Sequence, residues 1–139
     1  MPLAADSSAA PTIEPRNSRA VLFYLMLLVA HLAHILEEVW GHFQVMDRLF
    51  GEAWFLVANW VLFCIPVFFF YNWLRGKKWA RTWSLLYAGF MMANGLGHNI
   101  ATAVTGRYKG GFAGGFSGIA LFVIGFLLVR KMLQERRWS

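Results

Sequence analysis

The sequence predicts an all-α integral membrane protein, a four-helix bundle whose termini both lie in the cytoplasm. The 139-residue chain is 58% hydrophobic and only 14% charged, whereas soluble domains carry about 25% charged residues. It contains several apolar runs of about 20 residues, the length of helix that crosses a bilayer. Its basic residues cluster at the ends of these runs, which is typical of membrane topology.

The composition also excludes some classes of protein. A net charge of +6 can indicate nucleic-acid binding. Basic residues that flank apolar runs do not form a patch for a phosphate backbone, however, so we expect no nucleic acid as a partner. Cys64 is the only cysteine, so the chain can form no internal disulfide. The length is that of one domain.

We divide the chain into a polar tail, residues 1–18, and a four-span domain, residues 19–139. The tail is rich in small and polar residues and prolines, so we expect it to be mobile. Arg16 and Arg19 precede the first apolar run as they would in a signal peptide. No small-residue cleavage site follows before the first polar cluster, so we interpret this run as an uncleaved anchor.

The apolar runs place the first three spans at about residues 20–40, 53–74 and 82–105, and the fourth between a glycine-rich stretch at 110–115 and residue 131. The second span contains Pro66, which a membrane helix tolerates where neighbouring groups satisfy the freed carbonyl.

Glycines at the start of the fourth span form two overlapping pairs of small residues spaced by three. The pairs are Gly111 with Gly115 and Gly114 with Gly118. Such spacing lets helix backbones approach closely. We therefore expect the fourth helix to pack tightly on a neighbour, which can be another helix of this chain, a second copy or a partner in a membrane complex.

The distribution of Lys and Arg predicts the orientation. Residues 1–19, the loop at 75–81 and residues 130–139 together hold ten of them, and the other two loops hold three. Loops rich in Lys and Arg stay in the cytoplasm. We therefore predict a multi-pass protein of the inner (cytoplasmic) membrane, with the lipid bilayer as its first partner.

A polar cluster lies at the end of the first apolar run. On a helix, His31, His34, Glu38 and His42 fall within a wedge of roughly 80°, and Glu37 lies about 60° beyond His34. Carboxylates and imidazoles are rare in membrane spans unless they pair, bind an ion or face water. The cluster is thus the first candidate for a functional site.

The third span carries a stripe of its own, in which most residues are polar: Tyr87, Met91, Asn94, His98, Thr102 and Thr105. At 1.5 Å per residue, His34, His98 and Asn59 each lie about 6 Å from the centre of their span towards the outer face. Glu38 lies about 12 Å from it by the same measure. Three helices thus offer polar side chains at similar depth in the outer leaflet half.

We interpret this constellation as a metal site. His34, Glu38 and His98 are the predicted ligands of one Zn²⁺ or Fe²⁺ ion, because two histidines and a carboxylate form hydrolytic zinc and non-haem iron sites. Glu37 is the predicted general base on bound water, and its alternative role is to orient His34. A second group orients the ligands or contacts the substrate, and we assign to it Asn94, Asn59, His31 and Tyr87.

The paired motifs His34-x-x-Glu37-Glu38 and Asn94-x-x-x-His98 resemble the pattern of the HXXEE family, small bacterial and archaeal integral membrane proteins of unknown function. The resemblance extends along most of the chain and implies a metal-dependent or acid–base enzyme. The family often has Pro-Gly before its last helix, whereas this chain has Gly110-Gly111 there.

We therefore expect a membrane-embedded, hydrolase-like enzyme acting on an amphiphilic substrate that enters from the outer leaflet. Two alternatives remain open. A non-catalytic accessory subunit or a proton or ion relay would also use Glu, His and Asn side chains inside a membrane. A haem b protein would use His34 or His31 together with His98 as axial ligands, but this leaves both glutamates unexplained.

Overall fold

The computed structural model describes residues 18–40, 51–106 and 116–135. Its helices are α1 (Ser18–Trp40), α2 (Glu52–Leu74), α3 (Lys78–Thr105) and α4 (Phe116–Glu135). The described part contains no β-strand, which confirms the all-α class. α3 begins one turn before its predicted start. Three sequence features lie outside the described residues: the predicted mobile tail apart from Ser18, His42, and the glycine-rich stretch 110–115.

The helices pack so that each contacts the next along the chain and α4 returns to α1. The first half of α1 meets the second half of α2, where the Tyr24 hydroxyl donates to the carbonyl of Pro66 at 3.0 Å. Tyr24 also meets the start of α3 through Ser84. The second half of α1 meets the first turn of α4, where His34 lies beside Ser117. Successive helices are therefore antiparallel.

A tight turn joins α2 to α3. Gly76 has a φ of 84°, a conformation that glycine adopts without steric strain. Its N–H donates to the carbonyl of Trp73, and the N–H of Lys77 donates to that of Asn72. This is the Schellman pattern of helix termination. It ends α2 sharply enough for α3 to begin at Lys78 and run back along it.

The apolar core fills the half of the bundle that contains this turn. Tyr24 lies at its centre, with its ring 4.7 Å from that of Phe70 and 5.8 Å from that of Trp73. The other fully buried large apolar residues are Leu27, Leu121, Leu128 and Met132. The core thus joins all four helices and leaves the opposite half of the bundle to the polar side chains.

Three helices, α1, α2 and α4, are long and apolar enough to cross a membrane. Many of their exposed residues are large and apolar, among them Val29, Leu36, Val61 and Phe126. α3 is long enough but less apolar. It carries Lys78 and Arg81 at its start and several polar residues in its second half.

The predicted close packing of the fourth helix is confirmed at Gly118. A Cβ atom built on Gly95 of α3 would overlap the carbonyl oxygen of Gly118, and one built on Gly118 would lie 2.7 Å from the amide nitrogen of Asn99. Backbone therefore meets backbone at this crossing, as small residues allow in helix pairs. The neighbour is α3 of the same chain.

This crossing predicts an asymmetry between two glycines of α3. Gly95→Ala should lower the free energy of unfolding by about 1–3 kcal/mol, because overpacking forces the backbones apart. Gly97→Ala is the matched control, since nothing lies within 4 Å of a Cβ at that position. Denaturant unfolding of the detergent-solubilised variants measures both. Equal stability of the two variants would contradict the close approach of α3 and α4.

Candidate metal centre

The candidate site continues the buried face of α1. At helical spacing, this face presents Ala20, Tyr24, Leu27, His31, His34 and Glu38, all of which are buried. The first three belong to the core around Tyr24. The last three carry imidazole or carboxylate groups. One uninterrupted stripe of α1 thus builds the core in its first half and the site in its second.

Three side chains form a potential ligand group. His34, Glu38 and His98 each offer one ligand atom, and these atoms all lie within 4.8 Å of one another. The Oε1 atom of Glu38 lies 3.5 Å from Nε2 of His34 and 3.2 Å from Nε2 of His98. The prediction that these residues of α1 and α3 converge is confirmed. The two distances from Glu38 match the separation of about 3–4 Å between ligand atoms of one ion at bond lengths near 2 Å.

The burial of this group makes it unusual. His34 is 1% exposed and Glu38 is 9% exposed, and His98 is partly buried. Groups of this kind are almost never fully buried without partners, because removing a carboxylate from water is unfavourable unless a cation or hydrogen bonds compensate. The group is therefore a strong candidate for cation binding.

One atom of the group lacks a hydrogen-bond partner. The Nε2 atom of His34 is buried and makes no hydrogen bond within the described part of the chain, although Oε1 of Glu38 lies only 3.5 Å away. A buried polar atom without a partner requires a physical explanation. A lone pair that faces a carboxylate oxygen is explained if both atoms are ligands of one cation.

The other ring nitrogen of His34 is fully engaged. Its Nδ1 atom lies 2.9 Å from Oγ of Ser117, the second residue of α4. The Ser117 hydroxyl in turn donates a hydrogen bond to Oε2 of Glu37. Metal-binding histidines commonly use their second nitrogen in this way, towards a carboxylate, a carbonyl or a water. Glu37 and Glu38 therefore reach His34 from opposite sides.

His31 lies outside the ligand group. Its Nδ1 atom is 3.0 Å from the hydroxyl of Tyr87, and its ring is 5.4 Å from that of Phe63. His31 is thus a packed and hydrogen-bonded histidine, one turn deeper in the bundle than His34. Tyr87, which the sequence placed near the site, contacts this residue and Tyr24.

Among the described residues, the two predicted asparagines make no hydrogen bond with the ligand group. The side chain of Asn59 donates to the carbonyl of Phe55, one turn earlier in its own helix. Asn94 is half-buried one turn before His98, and its amide makes no hydrogen bond to any described residue. Thr102, one turn beyond His98, holds a buried hydroxyl that has no partner among the described residues. Roles for the asparagines in binding a substrate stay predictions.

Sequence reasoning missed Ser117. The residue precedes Gly118, so the small-residue spacing indicated that α4 would pack closely here. The antiparallel order of the helices also brings the start of α4 to the level of His34. Sequence alone does not distinguish Ser117 from an ordinary capping residue, since serine is common at helix starts.

Comparisons with protein-family models, with curated proteins and with solved structures returned no match. The interpretation of this site therefore depends on its geometry and chemistry.

Proposed function

We propose that this chain is a multi-pass inner-membrane protein in which His34, Glu38 and His98 bind one Zn²⁺ or Fe²⁺ ion for hydrolase-like catalysis on an amphiphilic substrate. One observation carries this proposal. Three potential ligand atoms lie within 4.8 Å of one another, and one of them, Nε2 of His34, is buried without a hydrogen-bond partner. Two histidines and one carboxylate leave coordination positions open for water or substrate.

The bound ion would supply Lewis acidity and activate water. The chain's own residues hold and orient its ligands. Oε1 of Glu38 lies between the imidazoles of His34 on α1 and His98 on α3. On the opposite side of the His34 ring, Ser117 hydrogen-bonds Nδ1. Of the two roles that the sequence left open for Glu37, the hydrogen bond from Ser117 supports the orienting one.

An amphiphilic substrate suits the position of the site. The surface of α1 beside Glu38 is apolar, with Leu36 64% exposed and Trp40 86% exposed. A molecule with one apolar and one polar end could bind along this surface and present its polar end to the buried group. The resemblance to the HXXEE family stays part of this proposal, because its paired motifs contain the three proposed ligands.

A relay of protons or ions is the second candidate function. The observation that favours it is the hydrogen bond between His31 and Tyr87, which extends the polar stripe of α1 one turn beyond the ligand group. The geometry disfavours haem ligation by His34 together with His98. The rings of His34 and His98 are in edge-to-face contact, with centroids 4.8 Å apart, and this leaves no room for a macrocycle between them.

Metal content separates the metal centre from the relay. We expect about one zinc or iron per purified chain, and its loss in His34→Gln, Glu38→Gln and His98→Gln, because an amide is a poor ligand for a dication. His31→Gln is the matched control and should keep the metal, since His31 contacts Tyr87 outside the ligand group. Plasma emission spectrometry measures the metal, and circular dichroism confirms that each variant is folded.

Two outcomes would contradict the metal centre. Wild-type protein that neither contains nor takes up Zn²⁺ or Fe²⁺ would favour the relay. Equal loss of metal from His31→Gln and His34→Gln would show that these substitutions release the metal by disturbing the fold and not by removing a ligand.

The proposed orientation has its own test. The charges of the described residues support it, because Arg19, Arg75, Lys78 and Lys131 lie at the end of the bundle away from the site, and Glu52 lies at the site end. We expect a phosphatase reporter inserted between α1 and α2 to be active outside the cytoplasm, and a fluorescent reporter at the C-terminus to fluoresce inside. The reverse pattern would contradict a site in the outer leaflet half.

A further inference from the structure

The side chains of His34, Ser117 and Glu37 form a continuous chain of hydrogen bonds. Nδ1 of His34 lies 2.9 Å from Oγ of Ser117, and the Ser117 hydroxyl donates to Oε2 of Glu37. His34 is 1% exposed and Ser117 is 8% exposed, so water does not compete effectively for the contact between them. The chain joins α1 to the first turn of α4.

The number of protons in this chain determines its direction. A serine hydroxyl has a single proton. Because Ser117 donates that proton to Glu37, it can only accept from Nδ1 of His34. The ring proton of a neutral His34 therefore lies on Nδ1, and the lone pair lies on Nε2.

The opposite direction would fit the structure less well. If a protonated Glu37 donated to Ser117, and Ser117 to Nδ1, the ring proton of His34 would lie on Nε2. It would then have a carboxylate acceptor close by, at Oε1 of Glu38. The structure has no hydrogen bond there, and Nε2 of His34 is without a partner.

We propose that Ser117 and Glu37 are positioning residues that hold His34 as the Nδ1–H tautomer, so that its Nε2 lone pair is aimed at the metal before the metal binds. This inference rests on the proposed function, because it assigns a purpose to the tautomer. It adds Ser117, a residue of α4, to a site whose residues the sequence placed on α1, α2 and α3. It also explains why a membrane helix carries two adjacent glutamates: Glu38 is a ligand, and Glu37 orients another ligand.

The packing of α4 explains how Ser117 is held in place. Gly118, the next residue, lies against the backbone of Gly95 in α3. A larger residue at either glycine would move the first turn of α4 away, and the Ser117 hydroxyl with it. Backbone contact between α3 and α4 therefore positions a hydroxyl against α1.

The tautomer can be measured without metal. The chain has four histidines, so the apo protein labelled with ¹⁵N-histidine in lipid gives few imidazole signals, and a His34→Gln spectrum assigns that of His34. We expect a protonated Nδ1 and an unprotonated Nε2 in wild-type protein. Ser117→Ala should mix the two tautomers, and Ser117→Thr, which keeps the hydroxyl, should restore the wild-type spectrum. A wild-type His34 protonated on Nε2 would overturn the inference.

Metal affinity gives the second readout, by competition of Zn²⁺ with a chromogenic chelator. Ser117→Ala should weaken binding about 10–100-fold, as removal of a group that orients a metal-binding histidine does. Ser84→Ala is the matched control, because Ser84 is also a buried serine with a hydroxyl partner, Tyr24, but lies in the apolar half of the bundle. It should bind Zn²⁺ as the wild type does.

Glu37 and Ser117 should act as one unit. Glu37→Gln should weaken Zn²⁺ binding less than Ser117→Ala, and the double variant should bind no more weakly than Ser117→Ala, because residues in one hydrogen-bond chain are non-additive. Additive losses, or a Ser117→Ala affinity within about twofold of Ser84→Ala, would overturn the inference. If wild type and Ser84→Ala both fail to bind Zn²⁺, the proposed function fails, and the ¹⁵N spectrum still decides the tautomer.

Discussion

The burial of Glu38 is the constraint on which the rest of the structure depends. A carboxylate that is 9% exposed must be compensated, because the effective penalty for removing such an ion from water is several kcal/mol. The imidazole of His34 on α1 lies 3.5 Å from this carboxylate and that of His98 on α3 lies 3.2 Å from it, and in the proposed site a cation bound between the three groups compensates its charge. The distance between α1 and α3, and the rotation of each helix about its own axis, must therefore be fixed. Contacts with α2, α4 and the apolar core fix them.

The two halves of the bundle divide this task. In one half, Tyr24 packs on Phe70 and Trp73 and hydrogen-bonds the backbone of α2, so the helices are held by large rings and a satisfied hydroxyl. In the other half, small residues bring α3 and α4 into backbone contact at Gly95 and Gly118. Large side chains thus hold the helices together in the half around Tyr24. In the other half, backbone contact brings α3 and α4 close together beside the polar group.

Much of this arrangement was predictable from periodicity and length. Apolar runs gave the four helices, and a rise of 1.5 Å per residue placed His34 and His98 at one level. The depth of a residue along its helix does not determine which way its side chain points, however. Asn59 was predicted at the same level, yet its amide bonds within its own helix, and Asn94 makes no hydrogen bond to the described residues. Rotation of a helix about its axis follows from packing, which depth alone does not give.

Ser117 could not be assigned for a related reason. Its contacts with His34 and Glu37 depend on how closely α4 approaches α3. That distance is determined by the absence of side chains at two glycines on different helices. The motif of Gly114 and Gly118 indicated a close approach but did not identify the partner. The Ser117 hydroxyl can reach His34 and Glu37 only because the backbone of the next residue, Gly118, is in contact with α3.

X-ray absorption spectroscopy at the metal edge tests the central claim most directly. It measures the type of each ligand atom and its distance from the ion, in wild-type protein purified with its metal or loaded with Zn²⁺. The account predicts scattering from two imidazoles together with oxygen ligands, at about 2.0–2.2 Å. A sulfur ligand at about 2.3 Å, which could come from Cys64 among other sulfur sources, or a shell without imidazole scattering would contradict it.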